Sequence, residues 1–353
     1  MADIDAAFET APLSKSGIGE PSGRWDAVVG GGVEGLTRRL SAGQLDAMES
    51  AVRQTMDRDT TEITASDLSA PEIVDLMNAA RYDIHAGRGA VVLSGVDLDR
   101  FDLESFKRLH WGLGTHLGAA TFQSARQDLI GFVRKEPSPE KRGYLSDAEL
   151  GPHTDFHEIL SLASVVTSEE GGVSGFVSAA AIYDAMREEH PDLLEHLEEG
   201  YYYPTSLETV SDYKVPTFSV IDGHVGLYNY ALYIIHAAEI RGEEVPPNLA
   251  EALRAMFKVA ARPQLMMRFT LQPGEIVFWH NFRVLHSRTA FKNTPERERL
   301  LLRLWLNAHD HYPLHPGYRE TSAHLDRQHG EGWSMLVNTD ERMKAAHDLI
   351  HRK

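Results

Sequence analysis

From about residue 129 to residue 308 the chain is a run of short β-branched and aromatic segments cut by Gly/Pro turns. The segments are LIGFVRKE, HEILSLASVVT, GFVSAAAIYDAM, GYYYPTS, VPTFSVIDGHVGLYN, QLMMRFTLQPGEIVFWHN, RVLHSRTAF and RLLLRLWLNAHD. Many short strands with such turns between them predict a barrel or a double-sheet jelly roll. Helical periodicity interrupts the run at about 181–200 and 246–261, so the expected class is mainly β with helical additions. Ahead of the run, 41–59 follows a Ser cap at helical spacing, and 69–87 does the same with Pro71 near its first turn. GAVVLSGVD (89–97) reads as a strand and 102–118 as a further helix, so this front third is expected to pack helices on one side of a sheet. Residues 1–40, with Gly, Ser and Pro, read as a poorly structured lead-in, and 334–353 as a closing helix. No repeat or linker divides the rest. The expectation is one domain over 41–353, with a jelly-roll core at about 89–310.

Composition narrows the chemistry. The chain has no cysteine, so a transition metal would have to be held by His, Asp or Glu. A formal charge of −17 argues against a nucleic-acid partner, because binding phosphates needs a basic stripe. No apolar run approaches the ~20 residues of a membrane span, and the N-terminus has no secretory pattern. These features fit a cytoplasmic protein with a small-molecule substrate, and a homo-oligomer is compatible with them. Any anionic ligand would have to be received by specific arginines against an acidic background.

The stretch GPHTDFHEIL (151–160) places His153, Asp155 and His157 within five positions. Side chains two apart on a strand share a face, so His153 and Asp155 could reach one ion with Thr154 turned away. A histidine and a carboxylate are part of the 2-His-1-carboxylate set that leaves coordination positions open for non-haem Fe(II). His286, in FWHNFRVLHSRTAF and 131 residues after Asp155, is the natural third ligand. His157 competes on the same strand face, but it lies deeper and suits a supporting hydrogen-bonding or pocket-lining role. His280 belongs to the preceding strand or its turn, and HDHYPLHP (309–316) reads as a surface loop. Arg299 and Arg303 then follow His286 by 13 and 17 residues, four apart on a leucine-rich strand. An arginine in an apolar strand needs an anion, and a guanidinium suits a carboxylate. Either arginine alone would be read as a structural ion pair; two on one face favour an anion site.

The set HTD (153–155), GGVSGF (171–176), PGEIVFWHNFRVLHSRTAF (273–291) and RERLLLRLWLN (297–307) resembles the Fe(II)/2-oxoglutarate-dependent dioxygenases of the taurine dioxygenase (TauD/TfdA-like) family. The resemblance runs over roughly residues 90–310 and is most specific in its C-terminal block. It implies a double-stranded β-helix core and a requirement for Fe(II), 2-oxoglutarate and O2. His153, Asp155 and His286 would be the iron ligands. Arg299 would pair with the distal carboxylate of 2-oxoglutarate, and Ser174, where relatives often have Thr, would hydrogen-bond the same group. Arg303 would meet an acidic group of the substrate. The implied reaction is hydroxylation of an unactivated C–H bond of a small, carboxylate-bearing molecule, an amino acid or a secondary-metabolite intermediate, with release of succinate and CO2. Halogenating relatives have a small residue in place of the carboxylate, so Asp155 implies hydroxylation rather than chlorination. Desaturation, epoxidation or ring closure would use the same site. Gln123 and Tyr230 are expected near the substrate, and Tyr144 over the site. A zinc hydrolase could use two His and an Asp, yet it would not need Arg299 and Arg303, and a jelly-roll binding protein would not need the triad.

Overall fold

The central strands of the larger sheet are apolar on both faces, and this is what layers the molecule. The computed structural model describes residues 24–27, 31–136, 145–332, 334 and 340–351. Seven strands form the larger sheet, in spatial order Thr37–Arg39, Ala90–Ser94, Ile276–His280, Ile159–Val166, Leu300–Ala308 and Gly118–Ala120, with Gly131–Val133 also paired to Leu300–Ala308. All neighbours are antiparallel except Thr37–Arg39 beside Ala90–Ser94. Strand side chains alternate between faces. Leu301 and Trp305 therefore enter the barrel interior with Val92, Val277, Trp279 and Leu160. Leu302, Leu304 and Leu306 enter a separate core with Val91, Leu93, Ile276 and Phe278.

That second core is covered by helices α1 (Ala42–Arg53), α2 (Pro71–His85) and α3 (Leu103–Thr115). Each begins where the sequence signals it. Ser41 and Gln44 form a capping box on α1, Pro71 opens α2, and Asp102 accepts from the Ser105 amide on α3.

The smaller sheet orders Met267–Phe269, Ser174–Ser178, Val284–Arg288 and Leu150–His153, all antiparallel. Phe176 and Val284 face the barrel interior, whereas Val177 and Leu285 face a third apolar cluster. Two facing antiparallel sheets around one interior are the jelly-roll architecture. The third cluster is built by α4 (Ala179–Glu189), α5 (Pro191–Glu199), α6 (Ala231–Arg241), α7 (Pro247–Ala260) and, further along the chain, α9. The helical stretch expected at 181–200 is two helices, because Pro191 cannot continue α4 and His190 leaves helical geometry. GYYYPTS forms only isolated bridges, Tyr201 to Val215 and Pro204 to Val210. Helix α8 (Pro316–Gly330), unmarked by any motif in the sequence, packs Tyr318 and Leu325 into the barrel core, and α9 (Asp340–His351) closes the chain. Of the lead-in, Thr37–Arg39 forms the edge strand, while residues 1–23 and 28–30 lie outside the described residues. No helix among the described residues is long and apolar enough to cross a membrane.

Candidate active site

The register of the smaller sheet brings the distant ligand candidates together. His286 pairs directly opposite His153 on neighbouring antiparallel strands, and their ring centroids lie 4.2 Å apart. Asp155 sits two residues beyond the end of its strand, past Thr154, and turns back toward both. One ligand atom from each of His153, Asp155 and His286 lies within 4.8 Å of the other two. His153 Nε2 is 3.8 Å from one Asp155 carboxylate oxygen, and His286 Nε2 is 4.0 Å from the other.

Polar neighbours fix His153 and Asp155, while His286 Nδ1 is buried with no hydrogen-bond partner among the described residues and its ring packs edge-on against Trp279, centroids 5.1 Å apart. His153 Nδ1 lies 2.8 Å from the Gly151 carbonyl, which makes Nδ1 the donor and turns Nε2 toward Asp155. The Asn281 side chain grips the Asp155 backbone, accepting from its amide and donating to its carbonyl, each at 2.9 Å. Thr154, turned away from the triad, bonds the backbone of Asn229. Trp305 Nε1 donates to Asp155 Oδ2 at 3.0 Å. Burial by itself would push the Asp155 carboxyl upward, but His286, Arg303, His153 and the Trp305 hydrogen bond hold it below the usual carboxylate range. Burial, with His153 and Arg303 adding to it, pushes the His286 imidazole down to about 3, against the pull of Asp155. It is therefore neutral, the form that ligates a metal.

His157 lies behind this group rather than in it. Its ring stacks on Trp305 with centroids 5.1 Å apart, and its Nε2 meets Asp326 of α8 at 2.8 Å. Asp326 also accepts from Asn307 at 3.0 Å. A chain of contacts thus runs from α8 through His157 and Trp305 to Asp155.

Arg299 stands one residue ahead of the strand Leu300–Ala308, and Arg303 lies within it; both are buried and both line the cavity that holds the triad. Arg299 Nη1 is buried with no hydrogen-bond partner among the described residues, and the guanidinium lies over the Phe291 ring. Burial, with Arg288 nearby, lowers it to about 9. A buried cation in this state calls for an anion. Gly172 makes room for it: with φ at +67°, any Cβ there would lie 3.2 Å from Arg299 Nε and 2.7 Å from Ser168 Oγ. Ser174 lines the same cavity and pairs in register with Arg288, whose guanidinium donates to the Ser146 and Ala148 carbonyls and so ties down the segment leading to His153.

The remaining expected residues divide. Tyr230 lines the cavity. Gln123 does not: it lies three residues past the strand Gly118–Ala120, is buried, and accepts from Arg303 Nε at 2.9 Å. Tyr144 lies outside the described residues. Trp305, Asn281, Asp326 and Arg288 carried no assignment in the sequence reading. Trp305 was open to detection, since it stands two residues after Arg303 on a strand and must share its face.

The donor set of two imidazoles and one carboxylate, with no thiolate, suits Fe(II) with open positions, and the buried Arg299, whose Nη1 has no partner among the described residues, suits a carboxylate beside it. Known proteins agree with that geometry. Residues 56–305 match the family described as taurine catabolism dioxygenase TauD, TfdA family, and the chain belongs to this family. It is an Fe(II)- and 2-oxoglutarate-dependent dioxygenase. FR-33289 synthase of Streptomyces rubellomurinus is 25% identical over 235 residues, covering 63% of this chain and 69% of that protein. A taurine hydroxylase-like protein of Stachybotrys chartarum is 25% identical over 269 residues, covering 70% and 68%. Among solved structures, asparagine oxygenase with Fe(II), 3-hydroxyasparagine and succinate matches at a TM-score of 0.61 and 15% identity, over 77% of this chain and 93% of that one. The oxygenase OrfP with Fe and α-ketoglutaric acid matches at 0.56 and 15%, over 78% and 94%.

Proposed function

We propose that His153, Asp155 and His286 hold Fe(II), that Arg299 and Ser174 receive the distal carboxylate of 2-oxoglutarate, and that the enzyme hydroxylates a C–H bond of a small, carboxylate-bearing molecule. The convergence of three ligand atoms within 4.8 Å, beside a buried arginine with an unpartnered Nη1, carries this reading. When bound, iron and 2-oxoglutarate supply oxidation of the substrate with release of succinate and CO2. The protein's own residues do the rest. Gly151 keeps His153 Nε2 directed inward, Asn281 fixes the Asp155 backbone, and Trp305 holds one oxygen of its carboxylate. Gln123 and the Trp305 ring, 4.4 Å from the guanidinium carbon, fix the orientation of Arg303. The apolar walls Phe156, Leu160 and Phe176 limit water around the triad. Structural neighbours that hold 3-hydroxyasparagine or (3S)-hydroxy-L-Arg support hydroxylation of a small molecule as the outcome. We place the whole activity in a single domain over residues 41–353, extended at its front by the edge strand Thr37–Arg39.

The test is succinate formation from 2-oxoglutarate with Fe(II) and air. Wild-type protein forms succinate, and Asp155→Ala does not. Equal succinate formation by Asp155→Ala would remove the triad from the reaction.

A further inference from the structure

The cavity of about 420 Å3 has two unlike ends. Its outer wall is formed by Tyr230, Leu232 of α6, Phe257 of α7, and Met343, Ala346 and Ile350 of α9. The last three are spaced three and four residues apart, so they form one stripe along α9. Such a stripe ordinarily faces a protein core. Here α9 is anchored by other means: Leu349 is buried in the third apolar cluster, and Arg342 pairs with Glu239 of α6 at 2.8 Å. Ile350 also packs against that cluster and Ala346 is buried, so the stripe runs from the cluster to the cavity, where Met343 remains 41% exposed. Of the large exposed hydrophobics among the described residues, Met343 is the one that lines this cavity. Unbranched, polarizable methionine adapts to varied apolar partners.

Charge at the lining points the same way. Arg288, Arg299 and Arg303 are buried there, and the carboxylates are Asp155 of the triad and Glu149, which is exposed at the rim. A cationic or strongly polar side chain at the outer end would have to leave water for apolar contacts, and among the described lining residues the buried acid is Asp155 of the triad. A carboxylate with an apolar body matches both ends: its charge toward the arginines, its body toward α6, α7 and α9.

We propose that the primary substrate is a small carboxylate bearing an alkyl or aryl body, and that α9 is the specificity element receiving that body. The family match ends at residue 305, so α9 lies beyond it. The proposal rests on the reading of the inner end as the iron and 2-oxoglutarate site.

The test titrates anaerobic protein, loaded with Fe(II) and 2-oxoglutarate, with hexanoate, octanoate, phenylpropionate and phenylbutyrate, and in parallel with L-asparagine, L-arginine and taurine. Binding is read as a shift of the visible charge-transfer band and as quenching of tryptophan fluorescence. The apolar carboxylates are expected to bind more tightly than the polar compounds. Met343→Glu should weaken phenylbutyrate by roughly tenfold or more. Ala346→Leu, which adds no charge and narrows the outer end, should weaken octanoate more than hexanoate. Lys344→Glu, on the exposed face of α9, should bind the probes as wild type does. Tighter binding of asparagine, arginine or taurine than of every alkyl or aryl carboxylate overturns the proposal. Unaltered phenylbutyrate binding in both Met343→Glu and Ala346→Leu overturns it too. A missing band before any probe is added overturns the iron and 2-oxoglutarate reading itself, and the proposal with it.

Discussion

At the inner end of the cavity every functional side chain comes from a strand or its immediate continuation, and polar groups behind His153, Asp155 and Arg303 fix their orientation. At the outer end the wall is apolar, comes from three helices, and is shaped only by packing. Asp155 is held by Asn281 at both its backbone groups and by Trp305 at its carboxylate, while Met343 has a largely open surface. The difference separates two tasks. Chemistry needs fixed directions, which strand register and hydrogen bonds supply, and selection of a substrate body needs only shape and apolar area.

The comparison breaks most visibly at Arg299. Its guanidinium is buried without an acidic partner among the described residues, so Arg299→Met should stabilise the apo protein by about 1 kcal/mol or more while raising the 2-oxoglutarate requirement by roughly a hundredfold. Urea unfolding and the dependence of succinate formation on 2-oxoglutarate measure the two effects. A destabilised Arg299→Met protein with an unchanged requirement would make this arginine structural. Arg303→Ala should instead act mainly on the primary substrate. Its guanidinium is already held by Gln123 and Trp305, so equal loss of 2-oxoglutarate binding in both variants would erase the division between them.

Trp305→Phe should come next in size. It keeps the ring that stacks on His157 and removes the donor to Asp155 Oδ2. Losing such a support typically weakens metal binding by about 10–100-fold, and equilibrium dialysis of Fe(II) reads it directly. Wild-type affinity in Trp305→Phe would mean that Asn281 and the backbone alone position the carboxylate.

Acid should then weaken the helical layer behind the larger sheet, through buried imidazoles on α2 and α3. Burial pushes His110 down to about 3 and His85 to about 4, from an ordinary value of 6.5. Below about pH 6.5 the unfolded chain takes up these protons and the folded one does not, so stability falls as pH drops through that window. Each such histidine contributes up to about 1.4 kcal/mol per pH unit. Urea unfolding of the apo protein at pH 7 and pH 5 should show the loss; equal stability at both would contradict these buried neutral rings. The smallest effect belongs to the outer wall, where Met343→Leu should change phenylbutyrate binding by roughly twofold or less.

The inner end was legible because its chemistry imposes residue types at spacings that a strand fixes. His153 and Asp155 two apart, and Arg299 and Arg303 four apart, could be read as shared faces before any register was known. The register itself was not legible: that His286 pairs opposite His153 depends on a bulged antiparallel pairing of residues 133 positions apart in the chain. Gln123 was expected at the substrate because it follows a strand near the site, but its carboxamide serves Arg303. Asp326 and the α9 stripe left no signal, since an acid on a surface-like helix and three apolar residues at helical spacing look alike in any helix. What distinguishes them is what they pack against, and that is a tertiary property.

The most direct test of the account is the visible absorption of anaerobic protein with Fe(II) and 2-oxoglutarate. Wild-type protein should develop a metal-to-ligand charge-transfer band, and Asp155→Ala and His286→Ala should each lose it while remaining folded by circular dichroism. A band of wild-type intensity in His286→Ala would contradict the assignment of the three ligands and the site built on them.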